Sequence, residues 1–582
     1  MTNADIAAVF EQVADLLEFQ AANPFRIRAY RNGARKAQDH PEALASLIES
    51  GGDLTELDGI GKDLAEKIAT LVKTGSLPML DELKAKLPDS VLGLLRVPGL
   101  GPKKAAVLHK ELGIVSLDML RAACEAGEVR GLKGFGKKTE ETLLAGITLA
   151  ERATDRIYWR DADEAVQDLL RHLGDVDAIR QLQPAGSYRR GKETVGDLDF
   201  LVDSDDAGAV MDRLAEYPSV AEVLARGDTK MSVRLKSNLQ VDLRVVPSES
   251  FGAALQYFTG SKEHNVVLRG MAKQRGLRVN EWGVFEDAGT DAGDESPTRG
   301  KRIAGETEKQ VYAALDLPWF PPELREARQE FTVAESGSLP SLVDVGDIRG
   351  DLHMHTNATD GKATLREMAD AARARGLEYI AITDHSQRVS MANGLNADRL
   401  RDQWRAIDSL NAELGDFTIL KGIECDILEA GGMDLPDDVL AEADWVIASL
   451  HYGQNQPREQ IMQRLLGALS HPSVSIIAHP TGRLINRREP YDVDVDALIA
   501  AAAEHGKMLE LNANPARLDL NDQHCAAAKR AGVPLVISSD AHSTSGLGVM
   551  GYGVLQGRRA GLTAADVANT QPLDVFRKRL RG

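Results

Sequence analysis

The spacing of apolar residues divides the chain into three parts. The first 150 residues follow a helical pattern, which predicts amphipathic helices over residues 4–22 and 41–50. In the middle part, runs that alternate in the manner of strands, such as residues 231–235 and 240–246, are mixed with helical runs. The last part alternates apolar strand-like runs with helices. At 582 residues the chain is too long for one hydrophobic core, so we expect several domains.

The last part contains seven strand-like apolar runs, separated mostly by helical segments. This alternation predicts a parallel α/β domain of the barrel type. The runs cover residues 348–353, 378–383, 417–424, 444–450, 474–478, 508–512 and 534–539.

Histidines and carboxylates stand at the carboxyl ends of these runs or in the loops that follow. In a β/α barrel the active site lies on that face, so side chains from different strands should converge in one cleft. A single histidine there would most simply be a buried core residue, but nine residues of ligand type favour a metal site. Imidazole with shared carboxylates suits zinc, manganese or iron, and nine ligands suffice for three ions. The residues are His353, His355, Asp360, His385, Glu424, His451, His479, Asp540 and His542.

The middle part carries an acidic motif, and residues 186–200 read GSYRRGKETVGDLDF. In a strand, residues two apart project from the same face, so Asp197 and Asp199 would offer oxygen ligands side by side to Mg²⁺. Ser187, Arg189, Arg190 and the turn amides lie upstream, where donors could reach a triphosphate. An isolated Asp-x-Asp on a strand is more often a solvated edge, so the motif alone does not decide its function.

A third aspartate strengthens the metal interpretation. Asp242 is the lone acid in the apolar strand-like run over residues 240–246. An unpartnered buried carboxylate is costly, so Asp242 should face a cation. A metal shared with Asp197 and Asp199 would supply that cation.

The helical first part contains an internal repeat. Each of three units has two glycines, separated by one residue, before a predicted helix, and a lysine lies at or near the start of that helix. The glycines permit a tight turn and a close approach, and the amides at the helix N-terminus would bind an anion. One such unit could be an ordinary turn between helices, but three with lysines favour phosphate binding. The positions are Gly59, Gly61 and Lys62; Gly99, Gly101, Lys103 and Lys104; and Gly134, Gly136, Lys137 and Lys138.

Composition changes this picture little. The net charge of −19 argues at first sight against a nucleic-acid partner, but residues 1–150 carry a net charge of only −2. No run of eighteen apolar residues and no basic leader occurs, so we expect a cytoplasmic protein that neither spans nor binds a membrane. The three cysteines, Cys124, Cys425 and Cys525, form no C-x-x-C pair, as is typical of a reducing compartment.

Four features of the middle part occur in the order found in the family X DNA polymerases, which the chain resembles. They are the Gly-Ser turn, the paired aspartates, Asp242 and the segment YFTGS at residues 257–261. The resemblance implies a nucleotidyltransferase palm with a thumb, working with Mg²⁺ or Mn²⁺. It implies that Asp197, Asp199 and Asp242 bind the metals and are catalytic, with Asp242 also activating the primer 3′-hydroxyl. The implied nucleotide-binding residues are Gly186, Ser187, Arg190, Gly196, Tyr257, Phe258, Gly260 and Asn265, with Ser187 and Arg190 on the triphosphate.

The repeats of the first part resemble helix-hairpin-helix motifs, which hold DNA phosphates without reading sequence. The first repeat also resembles the lyase domain of gap-filling members, in which a lysine attacks an abasic sugar, and Lys67 falls at that position. A Schiff base needs the uncharged amine, and Asp63, one turn before Lys67, works against it. Arg26 replaces another lysine of those members. Lys67 is therefore either a lyase nucleophile or a surface lysine.

The nine histidines and carboxylates resemble the ligand set of the polymerase and histidinol phosphatase (PHP) domain. All nine positions are filled, so we expect an active site with up to three Zn²⁺, Mn²⁺ or iron ions. The resemblance implies three ligand sets: His353, His355, Glu424 and Asp540; Glu424, His451 and His479; and Asp360, His385 and His542.

The sequence therefore predicts a multidomain, monomeric enzyme. We expect a polymerase that fills short gaps in DNA repair, using gapped or primed DNA and deoxynucleoside triphosphates, with a PHP 3′–5′ exonuclease or 3′-end phosphoesterase. The alternatives are a phosphoesterase whose polymerase part is inactive and binds DNA, and a nucleotidyltransferase that needs no template. The predicted domains are a lyase-like helical domain (1–85), fingers (86–150), palm (151–247), thumb (248–330), connector (331–346) and PHP domain (347–582).

Overall fold

The computed structural model of the protein shows four regions in chain order: a helical region, two regions that mix strands and helices, and a barrel. None of the described helices is long and apolar enough to cross a bilayer. The described residues are 3–20, 22–39, 44–49, 52–56, 60–84, 90–95, 97, 99–153, 156–286, 296–335, 337 and 339–581.

The described part of the first 153 residues is helical, with one core around α1 and a second around α7. The helices predicted near residues 4–22 and 41–50 are present. Helix α2 lies between these two helices and was not predicted; proline is favourable at the first helical position, and Pro24 begins α2. The helices are α1 Asn3–Phe19, α2 Pro24–Asp39, α3 Leu44–Glu49, α4 Lys62–Thr74, α5 Pro78–Lys84, α6 Ser90–Leu95, α7 Pro102–Leu112, α8 Leu117–Glu125 and α9 Lys137–Ala153.

The palm is a five-stranded sheet of order β2-β4-β7-β6-β5, in which β4 and β7 are parallel and the other neighbours are antiparallel. Alternating apolar residues of β4 and β7 pack against α10 and α12. The elements are β1 Ile157–Tyr158, α10 Trp159–Gly174, β2 Ile179–Pro184, α11 Gly186–Arg189, β3 Thr194–Val195, β4 Asp197–Ser204, α12 Ala207–Ala215, β5 Val220–Arg226, β6 Lys230–Leu235 and β7 Gln240–Val246.

The thumb combines helices with a small antiparallel sheet, and Ser261 caps its second helix by accepting a hydrogen bond from the His264 amide. The polar run over residues 287–302 has no apolar period and predicts a loop, and residues 287–295 of it lie outside the described residues. The range 331–346, predicted as a connector, includes most of α16, whose Phe331 packs on the thumb core, whereas Val343 packs in the barrel core. The elements are α13 Phe251–Thr259, α14 Lys262–Gln274, β8 Leu277–Asn280, β9 Gly283–Glu286, β10 Arg302–Ala304, α15 Glu308–Ala313 and α16 Glu330–Glu335.

The last region is the predicted parallel barrel of seven strands, ordered along the sheet as along the chain. A further bridge between Met354 and Ala541 joins the first and last strands, so the barrel is nearly closed. The strands are β11 Gly350–Asp351, β12 Tyr379–Ile382, β13 Thr418–Asp426, β14 Trp445–Ser449, β15 Ile476–Ile477, β16 Met508–Asn512 and β17 Leu535–Ser538. The helices are α17 Leu365–Ala374, α18 Ala397–Leu414, α19 Asp437–Leu440, α20 Arg458–Ser470, α21 Val495–Glu504, α22 Asp522–Arg530, α23 Met550–Arg559 and α24 Leu573–Arg581.

Candidate metal centres and nucleotide site

The three palm aspartates lie together on the parallel strands β4 and β7. The register of these strands places Asp199 directly opposite Asp242. Asp197 is two residues before Asp199 on the same face of β4 and is exposed. Asp242 also accepts hydrogen bonds from Ser232 and, over 3.2 Å, from the Gln240 side chain. The strand pairing thus turns three separated aspartates into one carboxylate cluster.

The electrostatics of this cluster fit a divalent cation. Burial, together with the charges of Asp197 and Asp242, raises the pKa of Asp199 to about 7. The nearest cation on Asp242 is the Lys230 ammonium, 3.6 Å from Oδ1. Magnesium or manganese ions, which prefer carboxylate oxygens, would offset the mutual repulsion of these groups. Asp197, Asp199 and Asp242 are therefore the residues that would hold the polymerase metals.

We expect Asp199→Asn to raise the thermal unfolding midpoint when EDTA is present. With a pKa of about 7, folded Asp199 keeps a proton that the unfolded chain releases near pH 4. The bound proton makes its full contribution to the free energy of unfolding below about pH 4, and this contribution is lost as the pH rises through 7. The neutral amide should therefore stabilise the protein more at pH 8 than at pH 5, by at most about 3 kcal/mol. Scanning fluorimetry at both pH values measures this, and equal gains would contradict it.

The Gly-Ser turn lies against the carboxylates. A Cβ on Gly186, whose φ is +63°, would come within 2.3 Å of Asp199 Oδ2, so only glycine permits this approach. The Ser187 hydroxyl that follows is buried and has no hydrogen-bond partner among the described residues. A buried hydroxyl without a partner is costly, so Ser187 Oγ is suited to a ligand such as a phosphate oxygen.

Arg190, the other predicted triphosphate residue, is already engaged within the protein. Its Nη1 donates to the Thr259 carbonyl over 2.8 Å, and its Nε lies 3.0 Å from Glu326 Oε1. These contacts join the turn to the end of the thumb. The palm and thumb together therefore fix the direction of the Arg190 guanidinium.

The predicted nucleotide-binding residues of the thumb lie on or between α13 and α14, and the resemblance implies that Tyr257, Phe258 and Asn265 line the sugar and base. Tyr257 and Phe258 are half-buried and packed edge to face, and the Arg244 guanidinium stacks 4.5 Å from the Phe258 ring centre. Asn265 is buried, and its Nδ2 donates to the Tyr257 carbonyl over 2.7 Å. Gly260 adjoins it, since a Cβ there would lie 2.8 Å from Asn265 Oδ1. Asn265 thus holds the YFTGS turn in this structure.

The predicted hairpins place glycine before helices α4, α7 and α9. Gly99 and Gly134 have φ values of +83° and +90°, which favour glycine. A Cβ on Gly61, Gly101 or Gly136 would meet nothing within 4 Å, so these helix N-termini are open to a ligand. The lysines beside them are exposed except Lys104, which is half-buried and lies over the Phe135 ring. Gly59 lies outside the described residues. The exposed lysines are Lys62, Lys103, Lys137 and Lys138.

Gly196, a predicted nucleotide-binding residue, directly precedes β4 in the palm.

Lys67, the candidate lyase residue, forms an ion pair with Asp63 one turn earlier on α4. Its ammonium also lies 5.8 Å from the centre of the Tyr30 ring, and a fifth of its side chain is exposed. Both contacts hold the Lys67 side chain against its own helix and the Tyr30 ring. The geometry therefore supports a structural role for Lys67 more than a nucleophilic one.

The nine predicted barrel ligands form one cluster at the carboxyl ends of the strands. Glu424 lies at its centre, 2.8 Å from His385 Nδ1 and 3.0 Å from His479 Nε2. Asp360 lies 3.4 Å from His542 Nε2 on the outer side. Three groups of ligand atoms are close enough to share an ion: His355, Asp360, His385 and His542; His353, His355 and Asp540; and His385, Glu424 and His451. These groups share members with the three predicted sets but differ from them. His355 belongs to the first and second groups, His385 belongs to the first and third, and the predicted ligand His479 belongs to none.

Histidine and carboxylate charges compensate one another in this cluster. Burial would raise the pKa of Glu424, but His451, His385 and His353 lower it well below its usual value. Burial opposes protonation of His385, yet Glu424 and Asp360 raise its pKa to about 10. The pKa of His355 falls to about 3, because it is buried beside His542 and His385. The cluster therefore combines buried carboxylates with imidazoles at different proton affinities.

Several ligand atoms lack a hydrogen-bond partner among the described residues. They include His353 Nε2 and both ring nitrogens of His355. They also include His385 Nδ1 and Glu424 Oε2, which lie 2.8 Å apart but not in hydrogen-bond geometry; all of these atoms are buried. Atoms of this kind inside a protein need a partner, and metal ions would satisfy all of them at once. The residues therefore fit two or three transition-metal ions.

Two carboxylates that orient the ligands were missed by the sequence analysis. Glu510 Oε1 lies 2.7 Å from His353 Nδ1, and its Oε2 accepts the His479 amide over 2.6 Å. Asp426 Oδ1 accepts the His451 amide over 2.9 Å. Such partners fix the ring and tautomer of a metal ligand. The signal was present, since Glu510 is a lone acid in an apolar strand, as Asp242 is.

Comparison with protein families matches five segments between residues 1 and 514. The matches are a helix-hairpin-helix domain over residues 1–77, a SAM-like helix-hairpin-helix tandem over 91–147 and a DNA polymerase beta palm over 156–252. A DNA polymerase beta thumb matches residues 254–326, and a PHP domain matches 351–514.

Individual relatives match the whole chain or its barrel. The DNA polymerase/3′-5′ exonuclease PolX of Bacillus subtilis strain 168 is 42% identical over 584 residues, covering 100% of both chains. A probable phosphatase of Thermoanaerobacter sp. strain X514 is 30% identical over 38% of this chain and 89% of its own length. A probable phosphatase of Acetivibrio thermocellus is 31% identical over 33% of this chain and 78% of its own length. The chain therefore belongs to the family X DNA polymerases that carry a C-terminal PHP domain.

Proposed function

We propose that this protein is a DNA-directed DNA polymerase that fills short gaps during repair and that its PHP domain trims 3′ ends as a 3′–5′ exonuclease or phosphoesterase. The observation that carries the proposal is the register of β4 and β7, which sets Asp199 opposite Asp242 beside the Ser187 turn. A full-length relative that is 42% identical and named a polymerase and exonuclease supports both activities.

In the polymerase reaction, the primer 3′-oxygen bonds to the α-phosphorus of the triphosphate, and the bond to pyrophosphate breaks. Asp242, on the central strand β7, would accept the proton of the 3′-hydroxyl. Ser187 Oγ would donate to a phosphate oxygen, and Arg190 would offset phosphate charge. Divalent ions held by Asp197, Asp199 and Asp242 would supply further charge stabilisation when bound.

In the PHP reaction, water attacks a phosphorus at a 3′ end and the nucleoside oxygen leaves. The barrel residues of the three groups would hold the ions, with His479 beside Glu424, and the ions, when bound, would polarise the phosphate and activate water. Glu510 and Asp426 would keep His353 and His451 oriented during turnover. The burial of His353 and His355 limits solvent access to the inner ligands.

DNA would be held by the hairpins through phosphate contacts. The open N-termini of α4, α7 and α9 present backbone amides, and exposed lysines stand beside them. We also propose that the protein uses deoxynucleoside triphosphates, is monomeric and is located in the cytoplasm.

All three cysteines are buried and free, which supports a reducing compartment.

The similarity of the barrel to probable phosphatases favours one alternative, a phosphoesterase with an inactive polymerase part. The second alternative is a transferase that needs no template. Incorporation of a single nucleotide should be tested on a one-nucleotide gap and on the same primer without template, for all four triphosphates. We expect incorporation of the complementary nucleotide on the gap alone. No incorporation would favour the phosphoesterase, and equal incorporation on both substrates would favour the transferase.

A further inference from the structure

The turn that carries the proposed triphosphate residues packs directly against the PHP domain. Gln556 Nε2, on helix α23 of the barrel, donates to the Gly191 carbonyl over 2.9 Å. Leu555 covers the same glycine, since a Cβ there would lie 2.6 Å from Leu555 Cγ. Helix α23 of the PHP domain therefore packs against the turn that carries the proposed triphosphate residues.

Arg559, at the end of α23, makes the closest contact with a predicted nucleotide residue. Its Nη1 donates to the Arg190 carbonyl over 2.6 Å, and the same nitrogen lies 3.1 Å from Glu326 Oε1 on the thumb. Its Nη2 donates to Asp522 of the barrel over 2.7 Å. The Arg559 side chain is only 2% exposed, so one buried guanidinium joins palm, thumb and barrel.

The Glu326 carboxylate is shared between the two arginines. Arg190 Nε lies 3.0 Å from it, and Lys192 Nζ lies 3.6 Å away. Burial would raise the pKa of Glu326, but Arg190, Arg559 and Lys192 lower it, so the carboxylate is ionised. An ionised carboxylate that holds Arg190 also competes with a triphosphate for the same guanidinium. Arg559 and Lys192 also bind the Glu326 carboxylate, so they weaken its hold on the Arg190 guanidinium.

We propose that Arg559 is a positioning residue of the polymerase site, supplied by the PHP domain. It holds the Arg190 main chain through the carbonyl and offsets the charge of Glu326, so that the Arg190 guanidinium stays directed but available to the triphosphate. This inference rests on the proposed role of Arg190 and adds a residue outside the palm and thumb to that site.

The main test is the steady-state kinetics of Arg559→Gln in the full-length protein. The KM for the triphosphate in single-nucleotide gap filling should rise about tenfold, while kcat changes less than about threefold, because the lost contact orients a binding group. Hydrolysis of bis(p-nitrophenyl) phosphate by the PHP domain should stay unchanged. Arg559→Lys should recover part of the affinity, since it restores a cation beside Glu326.

Arg558→Gln is the matched control. Arg558 lies beside Arg559 in sequence and also joins the barrel to the thumb, with Nε 2.7 Å from Glu323 Oε1 and Nη1 donating to the Val343 carbonyl. Its contacts support domain docking without reaching the turn. We expect its KM to equal that of the wild type. An equal rise in both variants would show that docking alone is involved and would overturn the inference.

A second variant guards against misfolding of Arg559→Gln, which leaves Glu326 and Asp522 with fewer partners. Gln556→Leu changes no charge and removes only the hydrogen bond to Gly191, so it should raise the KM for the triphosphate about threefold. If KM changes in neither variant, the inference is overturned.

Arg190→Gln separates this inference from the proposed function. If it leaves KM unchanged, Arg190 does not bind the triphosphate and the inference falls with that assignment. If Arg190→Gln raises KM and Arg559→Gln does not, the assignment stands and only the inference is wrong. A double variant whose KM equals that of Arg190→Gln alone would support it, because both changes then act through one group.

Discussion

Replacing Asp242 by Asn should lower gap filling by about a thousandfold, the scale of a lost catalytic group. The amide keeps the shape of the side chain and the contact with Ser232. It removes the charge that the metals need and the base that would accept the 3′-hydroxyl proton. Because Asp199 lies opposite on the neighbouring strand, the loss also changes the charge of the whole cluster. Single-turnover incorporation into a one-nucleotide gap measures the effect.

Asp205→Asn serves as the control for that experiment. Asp205 directly follows β4 in the same sheet, but it is exposed and pairs with Arg180 away from the cluster. We expect this variant to fill gaps at the wild-type rate. Wild-type incorporation by the Asp242 variant would remove Asp242 from the catalytic site and with it the palm assignment.

The double variant His353→Ala, His355→Ala should lose nearly all hydrolysis at 3′ ends, even with added manganese or zinc. Both residues border Asp540 and lie within 3.6 Å of Glu424, so the change removes two ligands from one group. Glu424 also contacts His385 and His451, so the neighbouring group should loosen as well. Release of nucleotides from labelled single-stranded DNA and metal analysis of the purified variant measure both effects.

Gap filling by the same variant should persist, because the palm aspartates belong to another domain. The inferred contact of Arg559 with the palm runs through α23 and leaves the metal ligands untouched. His505→Ala, which alters an exposed histidine of the barrel, is the control for folding and should keep both activities. Normal exonuclease activity in the double variant would reassign the barrel as a structural or small-phosphate domain. Loss of both activities in a folded protein would show that the centres are coupled.

Most of the fold and the candidate metal ligands could be predicted from local pattern, whereas the candidate nucleotide-binding residues were implied by the family resemblance. Alternating apolar runs predicted β6, β7 and the seven barrel strands, since side-chain alternation and burial leave a direct trace in the sequence. The rule that barrel ligands lie at strand ends predicted that nine distant residues share one cleft, and the structure brings all nine together. Lone acids in apolar strands were informative as well, although the reasoning used for Asp242 was not extended to Glu510.

The sequence by itself therefore determined the elements, the domain types and the residues with metal-binding chemistry. The tertiary structure alone decided which of these residues meet: Asp199 opposite Asp242, His355 between two ligand groups, and Arg559 on the turn of Arg190. The last pair is 369 residues apart, and such contacts depend on how whole domains pack. Periodicity records the side chains that an element buries but carries no information about the partner that buries them.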